Sequence, residues 1–276
     1  MKASSASIRN PAVAGMFYPA DPKELQTTVD ELLSRAHTEK VHGKIVGIIS
    51  PHAGYRYSGF TAAHAYRSTK GETYDTIVVI SPSHREYFDY ISLYPGTAYR
   101  TPLSDLQVDV ALRENLEDDL IQSSMMGHGS EHALEVQLPF VQRSLGSPTI
   151  LPIVMGDQDK IYCEHLGKRL GTVLKGKNTL LIASTDLSHY HPYNSANALD
   201  SIFIENVSRF DPDSLIQDLA NRRTEACGGG PAAAMLIASR LLGANKVRIL
   251  HHCNSGDITG DRSGVVGYLS AIIVKQ

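Results

Sequence analysis

Four apolar runs in this chain each break off in a burst of polar, metal-competent residues, and that repeated ending restricts the fold more than any other feature. The first reads Ile48-Ile49-Ser50-Pro51-His52, and the second Val79-Ile80-Ser81-Pro82-Ser83-His84. The third is Leu181-Ile182-Ala183-Ser184-Thr185-Asp186-Leu187-Ser188-His189-Tyr190-His191; the fourth is Arg248-Ile249-Leu250-His251-His252-Cys253-Asn254-Ser255-Gly256-Asp257. Short β-branched runs that stop at Ser-Pro read as buried parallel strands, because proline has no N–H to give to a central ladder. In an open α/β sheet the carboxyl ends of such strands share one crevice, where ligands bind. The pattern therefore predicts that His52, His84, Asp186, His189 and the segment 253–257 face a single pocket.

The elements between the runs fit that frame. Asp21-Pro22-Lys23-Glu24 reads as a helix start, with Asp21 as cap and Pro22 at the first helical position. Leu25, Val29, Leu32 and Leu33 then give the 3.6-residue stripe of a helix ending near Ala36. Strands are expected at 45–50, 76–81, 149–154, 179–184, 246–251 and 265–274. Helices are expected at 58–68, 132–145 (with Pro139 a kink or break), 159–174, 196–209, 214–221 and 232–242. The stretch 90–110 is mixed. Strands alternating with helices predict an α/β/α sandwich with a mainly parallel central sheet. With no linker, low-complexity tract or solenoid period in 276 residues, one domain over 1–276 is expected, residues 1–20 forming a loose segment packed on it.

Composition narrows the functional classes. A net charge of −3 with no basic stripe argues against nucleic-acid binding. The longest nearly apolar run, 265–274, is about half of what spans a bilayer, so no membrane association is expected. No apolar signal core follows Met1, which makes the cytoplasm the expected location. Three widely spaced cysteines, Cys163, Cys227 and Cys253, form no disulfide framework and suit a reducing compartment.

Several motifs here are similar to those of one known family. Arg9-Asn10-Pro11-Ala12-Val13-Ala14-Gly15-Met16-Phe17-Tyr18-Pro19 resembles the opening signature of the Memo family. Pro51-His52-Ala53-Gly54-Tyr55 with Ser58-Gly59, and Ser81-Pro82-Ser83-His84, resemble the next two. Glu131-His132-Ala133-Leu134-Glu135-Val136-Gln137-Leu138-Pro139, Ser184-Thr185-Asp186-Leu187-Ser188-His189 and Cys227-Gly228 complete the set, in order, from Arg9 to the C-terminus. The resemblance implies a fold like the class III extradiol ring-cleaving dioxygenases, which hold non-haem Fe(II) with two histidines and a carboxylate. It implies that His52 and His84 are metal ligands and that His189 is the acid/base. For the last ligand the dioxygenases use a glutamate and the human family member a late cysteine; here Cys253 and Asp257 both stand in the neighbourhood. The family's human member is described as a signalling adaptor, a binder of phosphotyrosine peptides, and a copper or iron protein.

The residues support three functional readings. In the first, His52, His84 and Cys253 or Asp257 hold a metal: Fe(II) with a carboxylate, copper or zinc with a thiolate. A small substrate would chelate the metal while His189, oriented by Asp186, moves a proton and His132 walls the pocket. In the second, a non-catalytic module binds a small ligand or an anionic, phosphotyrosine-type peptide through Arg56 and the amides at the Gly228-Gly229-Gly230 helix start. In the third, Cys227 at that helix start is a nucleophile with a depressed pKa, and His189 or His132 is its base. A tight glycine turn that lets the Ala-rich helix approach the sheet is the plainer account of the same segment.

Overall fold

A computed structural model describes residues 7–276. The N-terminal half holds β1 (Ile8–Arg9), α1 (Pro22–Arg35), β2 (Lys44–Ser50), α2 (Tyr55–Ser68) and β3 (Thr76–Pro82). Next come β4 (Ile91–Leu93), β5 (Ala98–Arg100), β6 (Asp105–Gln107), α3 (Val110–Leu116) and β7 (Ile121–Ser123). A 3₁₀ turn at Glu135–Gln137 leads into α4 (Leu138–Leu145), β8 (Thr149–Met155), α5 (Lys160–Val173), β9 (Thr179–Ser184) and β10 (Asp186–His191). The chain finishes with α6 (Tyr193–Ser208), α7 (Pro212–Ala220), α8 (Gly229–Leu241), β11 (Lys246–Asn254), α9 (Ser255–Thr259) and β12 (Val265–Lys275).

The main sheet runs β10-β12-β2-β9-β3-β8-β4-β7, with β11 on the other edge of β12. Its four middle strands, β2, β9, β3 and β8, are mutually parallel and read as unbroken apolar runs because both faces are covered. Alternate residues feed two cores. Val78 and Ile80 pack toward the α5–α8 side, whereas Ile77 and Val79 pack toward α1, α2 and α4. Helices on both faces of one sheet make this a mixed α/β protein in three layers.

The sheet is less parallel than expected. β12 is antiparallel to β2, β11 and β10, and β4 is antiparallel to β8, so the parallel order is broken on both sides of the four middle strands and resumes only in the edge pair β4–β7. The fourth apolar run therefore lies at an edge, with β12 between it and β2. The 132–145 helix is also shorter than expected. Pro139 sits in the first turn of α4, where its missing N–H costs nothing, and so starts the helix rather than kinking it. The Asp186–His191 stretch is itself a strand, antiparallel to β12.

The N-terminal segment is not loose over its described part. β1 pairs with β5, and Arg9 is buried. The carboxylate of Glu135, fully buried, accepts from the Arg9 guanidinium, the Tyr18 hydroxyl and the amides of Ala12 (2.8 Å) and Val13 (3.1 Å). Arg9 also donates to the carbonyls of His128 (2.9 Å) and Glu131 (2.6 Å). Residues 1–6 lie outside the described residues.

One close approach depends on a missing side chain. A Cβ on Gly47 of β2 would stand 2.6 Å from the sulfur of Met235 on α8, so glycine allows that helix to lie directly on the sheet.

Candidate metal centre

The strand ends deliver the site. β2 runs into Pro51-His52, and the amide of His52 donates to Asp186 Oδ1 (2.7 Å), which follows β9. β3 runs into Ser83-His84. Glu131 and His132 come from the loop before the 3₁₀ turn, and the loop entering α8 brings Cys227. The rings of His52 and His84 lie 5.1 Å apart, those of His84 and His132 4.7 Å, and those of His52 and His132 5.5 Å. One ring nitrogen from each of the three lies within 4.8 Å of the others, the one such cluster among the described residues.

Hydrogen bonds fix which nitrogen faces inward. The Ser184 hydroxyl donates to the Ala133 carbonyl (2.6 Å), so it can only accept from His52 Nδ1 (3.0 Å). His52 therefore carries its proton on Nδ1 and presents the Nε2 lone pair. His84 Nδ1 donates to Glu131 Oε1 (2.9 Å), again leaving Nε2 free. His132 Nδ1 stands 3.3 Å from the same oxygen without a hydrogen-bond partner. Glu131 also accepts from the amides of His84 (2.6 Å), His132 (2.9 Å) and Ala133 (2.9 Å). Burial opposes its charge, yet these bonds hold it down to about 2. Gln137 Nε2 donates to Ser184 Oγ (2.8 Å) and Pro51 O (3.0 Å), tying the three segments together.

Burial, then the charges that His84, His132 and His189 would carry, push His52 well below the usual imidazole range. Burial likewise brings His132 down to about 4, although Glu131 works against it. These rings are kept neutral, the form that binds metal.

Cys227 is the residue whose place strand-end reasoning did not find. Its Sγ lies 3.0 Å from His52 Nε2 and accepts from the Asp186 amide (3.3 Å). A Cβ on Gly228 would stand 2.2 Å from the Ser184 carbonyl, so glycine is what lets this loop reach the histidines. The expectation of a depressed thiol pKa fails, because burial first and the Asp186 carboxylate second push the thiol up. The helix-start amides are not free for an anion either. Gly228 N donates to Thr185 Oγ1 (3.0 Å), Gly229 N to Ala226 O (3.3 Å) and Gly230 N to Gln158 Oε1 (2.8 Å).

The remaining site candidates fall into two groups. His189 and Asp186 border the cluster. His189 Nδ1 donates to Leu187 O (2.8 Å), which leaves its Nε2 available, and burial lowers its pKa. Asp186 is raised to about 7 by burial, against the pull of the His52 and Ala53 amides. Cys253 and Asp257 lie outside the histidine cluster. Cys253 Sγ bonds Thr61 Oγ1 of α2 (3.2 Å). Asp257 caps α9, accepting from Asn254 N (2.9 Å) and the Tyr193 hydroxyl (2.8 Å). The intervening β12 separates them from β2. Arg56 lines a cavity with Phe17, Tyr18 and Arg35, whereas the α8 start lines another.

Fold and site together define a mixed α/β protein with a three-histidine cluster at the ends of its central strands, buried at His52, half-buried at His132 and open to solvent at His84. A family model described as Memo-like protein matches residues 9–272, and the chain belongs to that family. A MEMO1 family protein of Methanosarcina mazei is 38% identical over 271 residues, covering 97% of this chain and 99% of that one. The MEMO1 family protein of Methanocaldococcus jannaschii is 37% identical, covering 96% and 99%. A relative from Aquifex aeolicus is 38% identical, covering 97% and 99%. Among solved structures, an uncharacterized protein of Escherichia coli K12 superposes with a TM-score of 0.52 at 14% identity, covering 83% of this chain and 100% of that one. At that identity the likeness extends to the fold alone. No helix among the described residues is long and apolar enough to cross a membrane.

Proposed function

We propose that this Memo-family protein binds one transition-metal ion through His52, His84 and His132, with Cys227 at the edge of the centre. The observation that carries the reading is the set of tautomers. Two of the three rings have Nδ1 locked by a buried acceptor, so their Nε2 lone pairs are left without a proton, and the third has its Nδ1 beside the same carboxylate. Neutral imidazoles that turn unprotonated nitrogens toward one another fit a cation better than they fit one another.

The donor set bears on the metal. Fe(II) sites of the two-histidine type add a carboxylate, but Glu131 and Asp186 are here engaged by backbone amides. Three imidazoles beside a thiol are closer to the donor sets of zinc or copper, which we place ahead of Fe(II). A metal bound there would supply Lewis-acid polarisation of a chelating substrate's oxygens. His189, neutral with Nε2 free, is the base we assign to that site, and Asp186 holds the His52 backbone. A dioxygenase-like oxidoreductase is the reading if Fe(II) loads.

The anionic-peptide module draws less support, because Arg56 and the α8 start line different cavities and those amides are internally bonded. The Cys227 nucleophile retains a base within reach, now His52, but its thiol is pushed the wrong way for reactivity.

The test is metal content by mass spectrometry on anaerobically purified protein after reconstitution with Fe(II), Cu or Zn, beside a His52→Ala/His84→Ala variant. Near one ion per chain, lost in the variant, supports the site and names the metal. Equal content in both proteins refutes it.

A further inference from the structure

A cavity of about 590 Å³ adjoins the centre through two of its residues, Cys227 and His189. It lies between the start of α5, the end of α7 and the loop into α8. Leu187, Ile216, Leu219, Ala220 and Ala226 give it an apolar lining. Most of its polar groups are committed. Gln158 Nε2 donates to Cys227 O (2.8 Å), and Thr224 Oγ1 donates to Leu199 O (2.7 Å). Glu225 is paired with His191 (2.7 Å), and Lys160 stands 3.5 Å from Glu164. Asp159 has no side-chain partner, but it sits at the positive end of α5 beside Lys160.

Arg222 is the exception. It lines the cavity at its rim, exposed, and its neighbour Arg223 takes the nearby Asp218 carboxylate (2.9 Å). No acceptor pairs with the Arg222 guanidinium among the described residues. Its backbone, at φ 55°, is the left-handed residue that closes α7, with Arg222 N donating to Leu219 O (3.0 Å) and Arg223 N to Asp218 O (2.8 Å), so the end of that helix fixes where the side chain starts. An unpaired guanidinium over apolar walls suits a carboxylate.

We infer that this cavity binds an amphipathic organic anion. The carboxylate pairs with Arg222, the apolar body lies on Leu187, Ile216 and Leu219, and the far end points past Cys227 to the histidines. Which end reacts rests on the metal-site reading above; the binding does not. A volume of this size accepts a ring with a side chain, well beyond a bare diol.

The test uses 3-phenylpropionate and its uncharged counterpart 3-phenylpropan-1-ol, titrated calorimetrically into metal-free full-length protein. The anion is expected to bind at least about tenfold more tightly than the alcohol, roughly one charge-assisted hydrogen bond. Arg222→Gly, which adopts the same φ without strain, is expected to erase that preference. Ala220→Trp, an exposed position whose new ring fills the cavity mouth, is expected to abolish binding of both. Equal affinity for acid and alcohol, an unchanged preference in Arg222→Gly, binding undiminished in Ala220→Trp, or no binding to wild type would each overturn the inference. Metal content of the two variants, measured separately, should equal wild type, so failure of the metal centre and failure of the anion site are read independently.

Discussion

Replacing Glu131 by glutamine probes the part of the centre that holds its geometry. The wild-type carboxylate accepts four hydrogen bonds. Oε1 takes His84 Nδ1, His132 N and Ala133 N, each at 2.9 Å, and Oε2 takes His84 N at 2.6 Å. Glutamine is the same size but has one acceptor oxygen and an NH₂ donor. With its oxygen kept in the Oε1 place, the NH₂ faces the His84 amide, donor against donor. The alternative orientation sets the NH₂ against three donors, so the first is favoured. One charge-assisted bond is lost and a buried amide is orphaned, at a cost of about 2–4 kcal/mol. The same change removes the anion that orients the His84 ring, so metal affinity should fall about 10–100-fold. Urea unfolding of the metal-free protein reads the first effect, and competition with a chromophoric chelator reads the second. Nitrogen NMR of the wild-type histidines adds a check, since His84 should carry its proton on Nδ1. Glu131→Gln with wild-type unfolding midpoint and wild-type metal affinity would refute the orienting role.

Acid sensitivity should come partly from His128, whose Nδ1 accepts from the Tyr99 hydroxyl while Nε2 donates to Ser92 O (3.3 Å), and which burial pushes down to about 3. Because its folded pKa lies below the ordinary 6.5, the unfolded chain takes up the proton first. Its contribution is then complete above pH 6.5 and lost as pH falls toward 3, at roughly 1.4 kcal/mol per pH unit. Urea midpoints should therefore drop between pH 7 and 4, and a flat profile counts against this account. Gly228→Ala should displace the Cys227 loop by forcing a Cβ against the Ser184 carbonyl, costing about 1–3 kcal/mol and weakening metal binding; unchanged affinity would mean that Cys227 contributes nothing to the centre. Iodoacetamide should label Cys227 slowly in the native protein, since burial pushes its thiol up. Rapid modification at pH 7 would revive the nucleophile reading.

Local pattern was sufficient for the frame. Continuous apolar runs flanked by helical stripes can only be strands covered on both faces, and β2, β3, β8 and β9 form as the sequence expectation has them. Their shared direction then brings His52, His84 and Asp186 to one end, because parallel strands finish on the same side. Asp21 caps α1 by accepting from Lys23 N and Glu24 N, a contact within four residues that needs nothing distant.

What the sequence left open was decided across the sheet. Nothing in the run Arg248–Asn254 shows that β12 will slot between it and β2, yet that one antiparallel strand carries Cys253 to Thr61 and Asp257 to its own helix cap. Nor does a Cys-Gly-Gly-Gly turn reveal that its sulfur will stand 3.0 Å from an imidazole 175 positions away. His132 entered the cluster, and Glu131, Ser184 and Gln137 became its supports, only when three loops met. Periodicity and turn chemistry act over a few residues and are written along the chain. The approach of a donor to an acceptor depends on strand order and on how closely layers pack, and those are settled only when the whole core closes.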